Sequence, residues 1–194
     1  MVRLLSFIKL IFGALLIITI LKLTDTLASV SYIANATLLK SGVFNSQPGN
    51  QTNHAESFDY NFKIKTLTGE EIDFNQFKGK VIFLNLWATW CGPCRVEMPG
   101  IQELYSETNK EQIVFIMLSL DKDEDLQKIN NYIKKNEFTF PVYQPKGYLS
   151  NQLNVSSIPT TFIINKEGKI VSKEIGTTNF NTKKFKKYLA DLAR

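Results

Sequence analysis

The strongest constraint on the fold comes from two nearly continuous apolar runs that are separated by an amphipathic stretch. Val81–Trp87 consists almost entirely of apolar and β-forming residues, and residues 113–120 have the same character. Such runs are typical of strands that are covered on both faces of a sheet. Residues 95–109 between them carry apolar positions at helical spacing. The order strand, helix, strand predicts a parallel pair joined by a right-handed crossover.

The segments on either side of this unit predict a mixed sheet. Apolar and polar residues alternate before it, which predicts an opening β-hairpin, and a helix, a short strand, a second hairpin and a closing helix are predicted after it. We therefore expect an α/β fold with a mixed central sheet flanked by helices and extended by an N-terminal β-hairpin. The predicted segments are 58–64 and 71–74 for the first hairpin, 123–136, 140–143, 160–165 with 169–175, and 181–192.

The N-terminus has the pattern of a targeting or anchoring segment. Arg3 and Lys9 precede an uninterrupted apolar run over residues 10–21, which is the layout of a secretory signal. Residues 4–21 are close to the minimum length for crossing a bilayer. We expect residues 1–23 to act as a signal-anchor in the membrane, with the rest of the chain outside the cytoplasm. Cleavage after Ala28, which would release a secreted protein, remains the alternative.

Length and composition predict one globular domain behind this segment. The chain has 194 residues, of which 44% are hydrophobic, and this suits a single core with a short appendage. Residues 24–55 are predicted as a juxtamembrane segment and linker, since residues 40–55 are polar and rich in turn formers. The domain itself is predicted over residues 56–194.

The positive charge of the chain does not predict a nucleic-acid partner. The formal net charge is +5, from 23 basic and 18 acidic residues, and four lysines crowd the C-terminal end. Lysines on a terminal helix are usually a solvated face. Basic and aromatic residues do not alternate as they do on a nucleic-acid platform, so we expect no nucleic-acid binding.

The cysteines restrict the chemistry further. Only two occur, in the sequence Cys91-Gly92-Pro93-Cys94, and His54 is the single histidine. With two cysteines and one histidine, the chain cannot form a fold held together by many disulfides or a zinc site built from two cysteine pairs. We expect no metal and no cofactor other than a redox-active Cys91–Cys94 disulfide.

The position of the pair predicts thiol–disulfide exchange. Cys91 falls where the predicted strand has ended and a helix begins, so backbone N–H groups and the helix dipole favour its thiolate. Cys94 lies one turn further on, close enough to form a disulfide, and Gly92 with Pro93 suits a first helical turn. A permanent disulfide and a zinc half-site shared with another chain are the alternatives left open.

Residues 86–99, with a tryptophan-flanked cysteine pair followed by Glu97-Met98-Pro99, resemble the thioredoxin superfamily, and within it the membrane-anchored TlpA/ResA-like branch. The resemblance covers roughly residues 56–194 and includes residues 157–161 as a second landmark. It implies a thioredoxin-like fold in which Pro159 is cis and its loop, with Ile158, lies against the cysteine pair. Residues implied to contact a substrate are Trp90, Gly92, Pro93, Ile158 and Pro159.

The resemblance also implies a role for Glu97. In that branch a glutamate at this position is thought to adjust cysteine reactivity and to help proton transfer; the alternative is a carboxylate that merely favours a helix N-terminus. Asn85 departs from cytoplasmic thioredoxins, which carry a buried aspartate at the matching strand position. We therefore predict that Glu97 is catalytic, together with Cys91 and Cys94.

These observations predict an extracytoplasmic thiol–disulfide oxidoreductase that exchanges disulfides with protein cysteines. The resemblance implies a reductase supplied with electrons by a membrane redox protein, for example acting on apocytochrome c thiols. The sequence does not fix the direction of electron flow. A thiol peroxidase of the wider fold, or a non-catalytic module that binds peptides, are the alternative functions.

Overall fold

The computed structural model describes residues 2–23, 37, 39, 42, 44–46 and 56–194. Helix α1 spans Val2–Leu23. Among the described residues, no helix combines the length and the apolar character needed to cross a membrane. The prediction of a membrane segment at residues 4–21 is therefore not supported.

A seven-stranded mixed sheet forms the centre of the domain. The strands are β1 (Lys63–Thr66), β2 (Glu71–Asp73), β3 (Val81–Trp87), β4 (Ile113–Ser119), β5 (Val142–Lys146), β6 (Thr160–Ile164) and β7 (Ile170–Ile175). They lie in the order β2-β1-β5-β4-β3-β6-β7. Strands β3 and β4 are parallel, with Val81 opposite Ile113, whereas β6 runs antiparallel to β3, with Thr161 opposite Asn85. The predicted parallel pair and mixed sheet are thus confirmed.

Within residues 56–194, three helices accompany this sheet: α2 (Gly92–Glu107), α3 (Leu126–Lys135) and α4 (Lys183–Leu192). Short 3₁₀ turns occupy Phe74–Phe77, Asp123–Asp125 and Asn151–Leu153. The predicted helix over 123–136 is therefore divided, because its three acidic residues form a 3₁₀ turn without a side-chain cap. Helix α4 begins after Thr182, whose side chain accepts a hydrogen bond from the N–H of Phe185.

Both faces of β3 are buried, which accounts for its almost unbroken apolar sequence. Phe83 belongs to a cluster that includes Met98 of α2 and Phe185 of α4. Leu84 belongs to a second cluster on the other face, with Phe74. Successive residues of a strand point to opposite faces, so only a continuous apolar run can fill both clusters.

The N-terminal hairpin differs from the prediction in one respect. Phe58, Tyr60 and Phe62 are buried and the residues between them exposed, as their alternation predicts, but ladder pairing begins only at Lys63. Alternation of apolar and polar residues indicates an extended chain with one buried face, but it does not show which residues form ladder pairs. Strand β1 also pairs with β5, so the hairpin continues the central sheet.

Candidate active site

The cysteine pair lies at the first turn of α2. Cys91 is the N-cap residue, and its Sγ accepts a hydrogen bond of 3.2 Å from the N–H of Cys94. The two cysteines are joined in a disulfide, with their Cα atoms 5.3 Å apart. Cys94 is fully buried and Cys91 is 5% exposed. Cys91 is therefore the sulfur on the solvent side, at the helix end where backbone N–H groups favour negative charge.

The turn between β3 and α2 is held in place by Asp121. This buried carboxylate accepts hydrogen bonds from the N–H and the hydroxyl of Thr89, at 2.8 and 2.6 Å, and from the hydroxyl of Ser119 at 2.7 Å. The N–H of Cys91 donates to the carbonyl of Ala88 at 3.1 Å. The end of β4 thus fixes the residues that lead into the cysteine pair.

The loop before β6 lies against Cys91, as the resemblance implied. The Ile158–Pro159 peptide bond is cis, and Sγ of Cys91 lies 3.7 Å from the carbonyl oxygen of Ile158. Pro159 is buried, and its carbonyl accepts a hydrogen bond of 2.8 Å from Gly176. The structure therefore brings Ile158 and Pro159 to the cysteine pair.

A groove of about 520 Å³ opens beside this contact. Trp90 and Ile158 line it next to the cysteine pair, and apolar side chains of Leu120 and Leu153 line it further away. Trp90 is 69% exposed, so it can contact a bound polypeptide without first being uncovered. Gly92 and Pro93, which directly follow Cys91, are exposed. Of the five residues that the resemblance implied for substrate contact, Ile158 contacts the sulfur of Cys91, Trp90 lines the groove together with Ile158, and Pro159 is buried.

Glu97 is buried inside the domain, with 1% of its surface exposed. Its Oε1 accepts a hydrogen bond of 2.9 Å from Nδ2 of Asn85, and its Oε2 accepts one of 3.0 Å from the N–H of Thr178. Burial raises the pKa of Glu97 to about 8, and the hydrogen bonds from Thr178 and Asn85 only partly oppose this effect. Because a surface carboxylate at a helix terminus would have no such environment, the location of Glu97 favours the functional interpretation.

Asn85 connects Glu97 to the strand that follows the proline loop. Its Nδ2 also donates to the hydroxyl of Thr161, at 2.8 Å. Its Oδ1 is buried and has no hydrogen-bond partner among the described residues. Leaving a buried amide oxygen without a hydrogen bond costs roughly 1–3 kcal/mol of folding free energy. The presence of Asn85 at this position is therefore not explained by stability alone.

Sequence reasoning missed four residues that hold the site together. Thr161 and Thr178 contact Asn85 and Glu97, and Asp121 with Thr89 fixes the turn before Cys91. Asp121 carried a weak signal, since it is a polar residue directly after a buried strand. Thr178 carried none, because its contact with Glu97 joins residues 81 positions apart. In the part of the chain that the structure describes, no group of three or more candidate metal ligands is assembled.

Comparison with known proteins places these features in a family. A model of the AhpC/TSA family matches residues 57–173. The thiol–disulfide oxidoreductase ResA of Bacillus cereus is 40% identical over 117 residues, which are 60% of this chain and 66% of that protein. Sporulation thiol–disulfide oxidoreductase A of Bacillus subtilis is 33% identical over 117 residues, covering 59% of this chain and 70% of that protein.

Solved structures agree with this assignment. The crystal structure of StoA from Bacillus subtilis matches with a TM-score of 0.53 and 28% identity, over 69% of this chain and 96% of that one. The solution structure of a putative protein disulfide isomerase from Bacteroides thetaiotaomicron matches with a TM-score of 0.61, over 76% of this chain and 94% of that one. Its 22% identity supports the fold alone.

The matches to the first ResA relatives span 66% and 65% of the length of those proteins, slightly less than two thirds. The family assignment rests on the model match, which covers more than half of the chain, and on the site, since the cysteine pair and the cis-proline lie together as the resemblance implied. The chain belongs to the AhpC/TSA family of thioredoxin-like proteins, and its relatives in that family include ResA-type thiol–disulfide oxidoreductases.

Proposed function

We propose that this protein is a thiol–disulfide oxidoreductase that exchanges disulfides with cysteines of other proteins. The observation that carries the proposal is the position of Cys91: its sulfur caps helix α2 and lies 3.7 Å from the carbonyl oxygen of Ile158. Ile158 and Trp90, the residue before Cys91, line a groove that is open to solvent. A sulfur held this way is activated as a thiolate and is accessible to a partner sulfur.

The exchange uses both cysteines in turn. In the reducing direction, the Cys91 thiolate attacks a substrate disulfide, forms a mixed disulfide and releases one substrate thiolate. The Cys94 thiolate then attacks the Cys91 sulfur, which forms the Cys91–Cys94 disulfide and releases the second substrate thiolate. Two electrons pass to the substrate, and the two protons that leave the cysteines end on its thiols. The reverse sequence oxidises a substrate dithiol.

Glu97 is the group suited to move the proton of Cys94. It lies three residues after Cys94 on the same helix, which places both on one face, and both are buried. A group with a pKa of about 8 can accept or release a proton near neutral pH. Buried Cys94 needs such a group, because a thiol removed from water does not lose its proton to solvent directly.

The resemblance supports a proposal for the direction of electron flow, and the N-terminal sequence pattern supports a proposal for the location. We propose that the protein works as a reductase outside the cytoplasm, receives electrons from a membrane redox protein and reduces substrates such as the disulfide of an apocytochrome c to its two thiols. The basic flank and apolar core of residues 1–23 support export. The reduction potential of the pair, compared with its redox state in cells, tests the direction: a strongly negative potential with a mostly reduced pair is expected for a reductase. A reporter enzyme that is active only after export, fused after Arg194, tests the location.

Trapping of a mixed disulfide tests the reaction itself. In the Cys94→Ser variant the second attack is impossible, so we expect a stable mixed disulfide with a protein substrate through Cys91. The matched Cys91→Ser variant should trap nothing and should lose exchange activity. Undiminished peptide binding by the Cys91→Ser variant, with no disulfide exchange by the parent, would indicate a peptide-binding module, and rapid consumption of hydrogen peroxide without disulfide exchange would indicate a peroxidase.

A further inference from the structure

The geometry points to residues 44–46 as a positioning element that fixes Asn179 and, through it, the backbone amide of Thr178 that binds Glu97. We call residues 44–46 the N-terminal strap. They lie in the part of the sequence predicted to be a linker between α1 and the domain. The consequence for catalysis rests on the proposed role of Glu97, whereas the positioning of the Glu97 carboxyl can be measured without any reaction.

The strap pairs with Asn179 through its backbone. The N–H of Asn179 donates to the carbonyl of Phe44 at 2.7 Å, and the N–H of Ser46 donates to the carbonyl of Asn179 at 3.2 Å. These two bonds form a parallel β-bridge between Asn45 and Asn179. A bridge that uses both polar groups of the Asn179 backbone fixes the direction of the chain at this residue.

Side chains reinforce this pairing on both sides. Nδ2 of Asn179 donates to Oδ1 of Asn45 at 3.0 Å, and the hydroxyl of Ser46 donates to Oε1 of Glu174 at 3.3 Å. Ser46 is only 3% exposed. A polar residue so far removed from water, with its hydroxyl and amide both bonded, is part of the folded domain and does not behave as a solvated spacer.

The residues just before Asn179 contact the active site at three points. The N–H of Thr178 donates to Glu97, the hydroxyl of Thr177 donates to the carbonyl of Pro93 at 3.4 Å, and the N–H of Gly176 donates to the carbonyl of Pro159. Gly176 has φ +86°, a conformation that favours glycine. Since Thr178 directly precedes Asn179, a loss of the strap pairing frees the end of this short loop.

The expected effect on Glu97 has a definite sign. The Thr178 N–H stabilises the carboxylate and so lowers the pKa of Glu97 against the larger effect of burial. The other hydrogen-bonding contact is Asn85, which does not titrate, and the cysteines on α2 are joined in a disulfide. No cation forms an ion pair with Glu97 among the described residues. A looser Thr178 amide must therefore move the midpoint of Glu97 ionisation to higher pH.

Ser46 offers a matched pair of substitutions in the full chain. Ser46→Pro removes the N–H that bonds to Asn179, whereas Ser46→Ala keeps that N–H and removes only the hydroxyl contact with Glu174. The Glu97 carboxyl can be followed by carbon NMR in the oxidised protein, in mild detergent, with its signal assigned by its loss in Glu97→Gln. We expect Ser46→Pro to raise the midpoint by about one pH unit, in line with a weakened bond to a charged group, and Ser46→Ala to leave it in place.

Asn45→Ala gives a second measurement that does not depend on proline. It removes the nearer of the two acceptors of Nδ2 of Asn179, at 3.0 Å, and leaves the carbonyl of Leu39 at 3.5 Å. We expect a smaller shift in the same direction. Unchanged midpoints in both Asn45→Ala and a folded Ser46→Pro variant would overturn the proposal, as would a lower melting temperature without any shift. Failure of the proposed function looks different: Cys94→Ser would trap no mixed disulfide, while the Glu97 midpoint would still respond to the strap.

Discussion

The Nδ2 atom of Asn85 lies 2.9 Å from Oε1 of Glu97, and this hydrogen bond joins the central strand β3 to helix α2. The same amide holds Thr161, two residues beyond the cis-proline. A single buried side chain thus links the helix that carries the cysteines with the strand that follows the proline loop. Because the donor is an amide, Glu97 is the ionisable member of this set of contacts.

Glu97→Gln should remove a pH dependence of stability. In the unfolded chain this glutamate has an ordinary pKa, whereas in the folded protein its pKa is about 8. At a pH between these two pKa values, the unfolded chain has released the proton and the folded protein still holds it. Stability is therefore full at low pH and falls as pH rises towards about 8. We expect the oxidised parent to lose up to a few kcal/mol between pH 5 and 8, and the variant clearly less. Urea unfolding at pH 5, 7 and 9 measures the free energy of unfolding of both proteins. An equal change of that free energy with pH in the parent and in Glu97→Gln would contradict the prediction.

Asn85→Asp should make the pH dependence steeper. The substitution places a second buried carboxyl against Glu97, and two like charges at this distance cannot both ionise at low cost. Each carboxyl that stays protonated only in the folded state adds about 1.4 kcal/mol per pH unit to the loss of stability. Asn85→Ala is the control, because it removes the donor without adding a charge. The same unfolding series tests the prediction, which fails if the aspartate and alanine variants have equal slopes.

Asp121→Ala should destabilise the turn that precedes Cys91. It leaves the N–H of Thr89 and the hydroxyl of Ser119 without their acceptor in a mostly buried place, and we expect a loss of about 2–3 kcal/mol. Glu124→Ala provides the comparison, because its ion pair with Lys122 is exposed and should contribute less than about 1 kcal/mol. Thermal unfolding of the oxidised proteins gives both values. Equal melting temperatures would show that Asp121 does not hold this turn.

Trp90→Ala should slow exchange with protein disulfides and spare exchange with a small aromatic disulfide. Trp90 lines the groove beside Cys91 and is largely exposed, so its removal takes contact area from a polypeptide and leaves the sulfur in place. We expect roughly a fivefold loss of kcat/KM for a protein substrate, the equivalent of about 1 kcal/mol. Tyr148→Ala is the matched control, an exposed aromatic residue that does not line this groove. An equal loss of kcat/KM with the protein disulfide and the small disulfide would contradict the prediction, because it would show that Trp90 affects the reactivity of Cys91 and not the binding of a polypeptide.

Much of the fold was predictable because its signals are local. The apolar sequence of Val81–Trp87 reports burial on both faces, and the spacing between residues 95 and 109 reports a helix stripe. The predicted start of α2, with Gly92 and Pro93 in its first turn, is confirmed, whereas the helix ends at Glu107, two residues before the predicted end at residue 109. The hairpin was predicted, but its pairing with β5 was not, since that contact joins residues far apart in the sequence.

The reactive pair and its place at a helix N-terminus could be read from neighbouring residues, and the resemblance implied that the Pro159 loop lies against the pair. The burial of Glu97 between Asn85 and Thr178, and the hydrogen bonds between residues 44–46 and Asn179, were revealed by the folded structure. The physical reason is that burial and long-range hydrogen bonds arise when the sheet and helices close around a side chain. The charge that Glu97 carries near neutral pH is therefore a property of the folded domain.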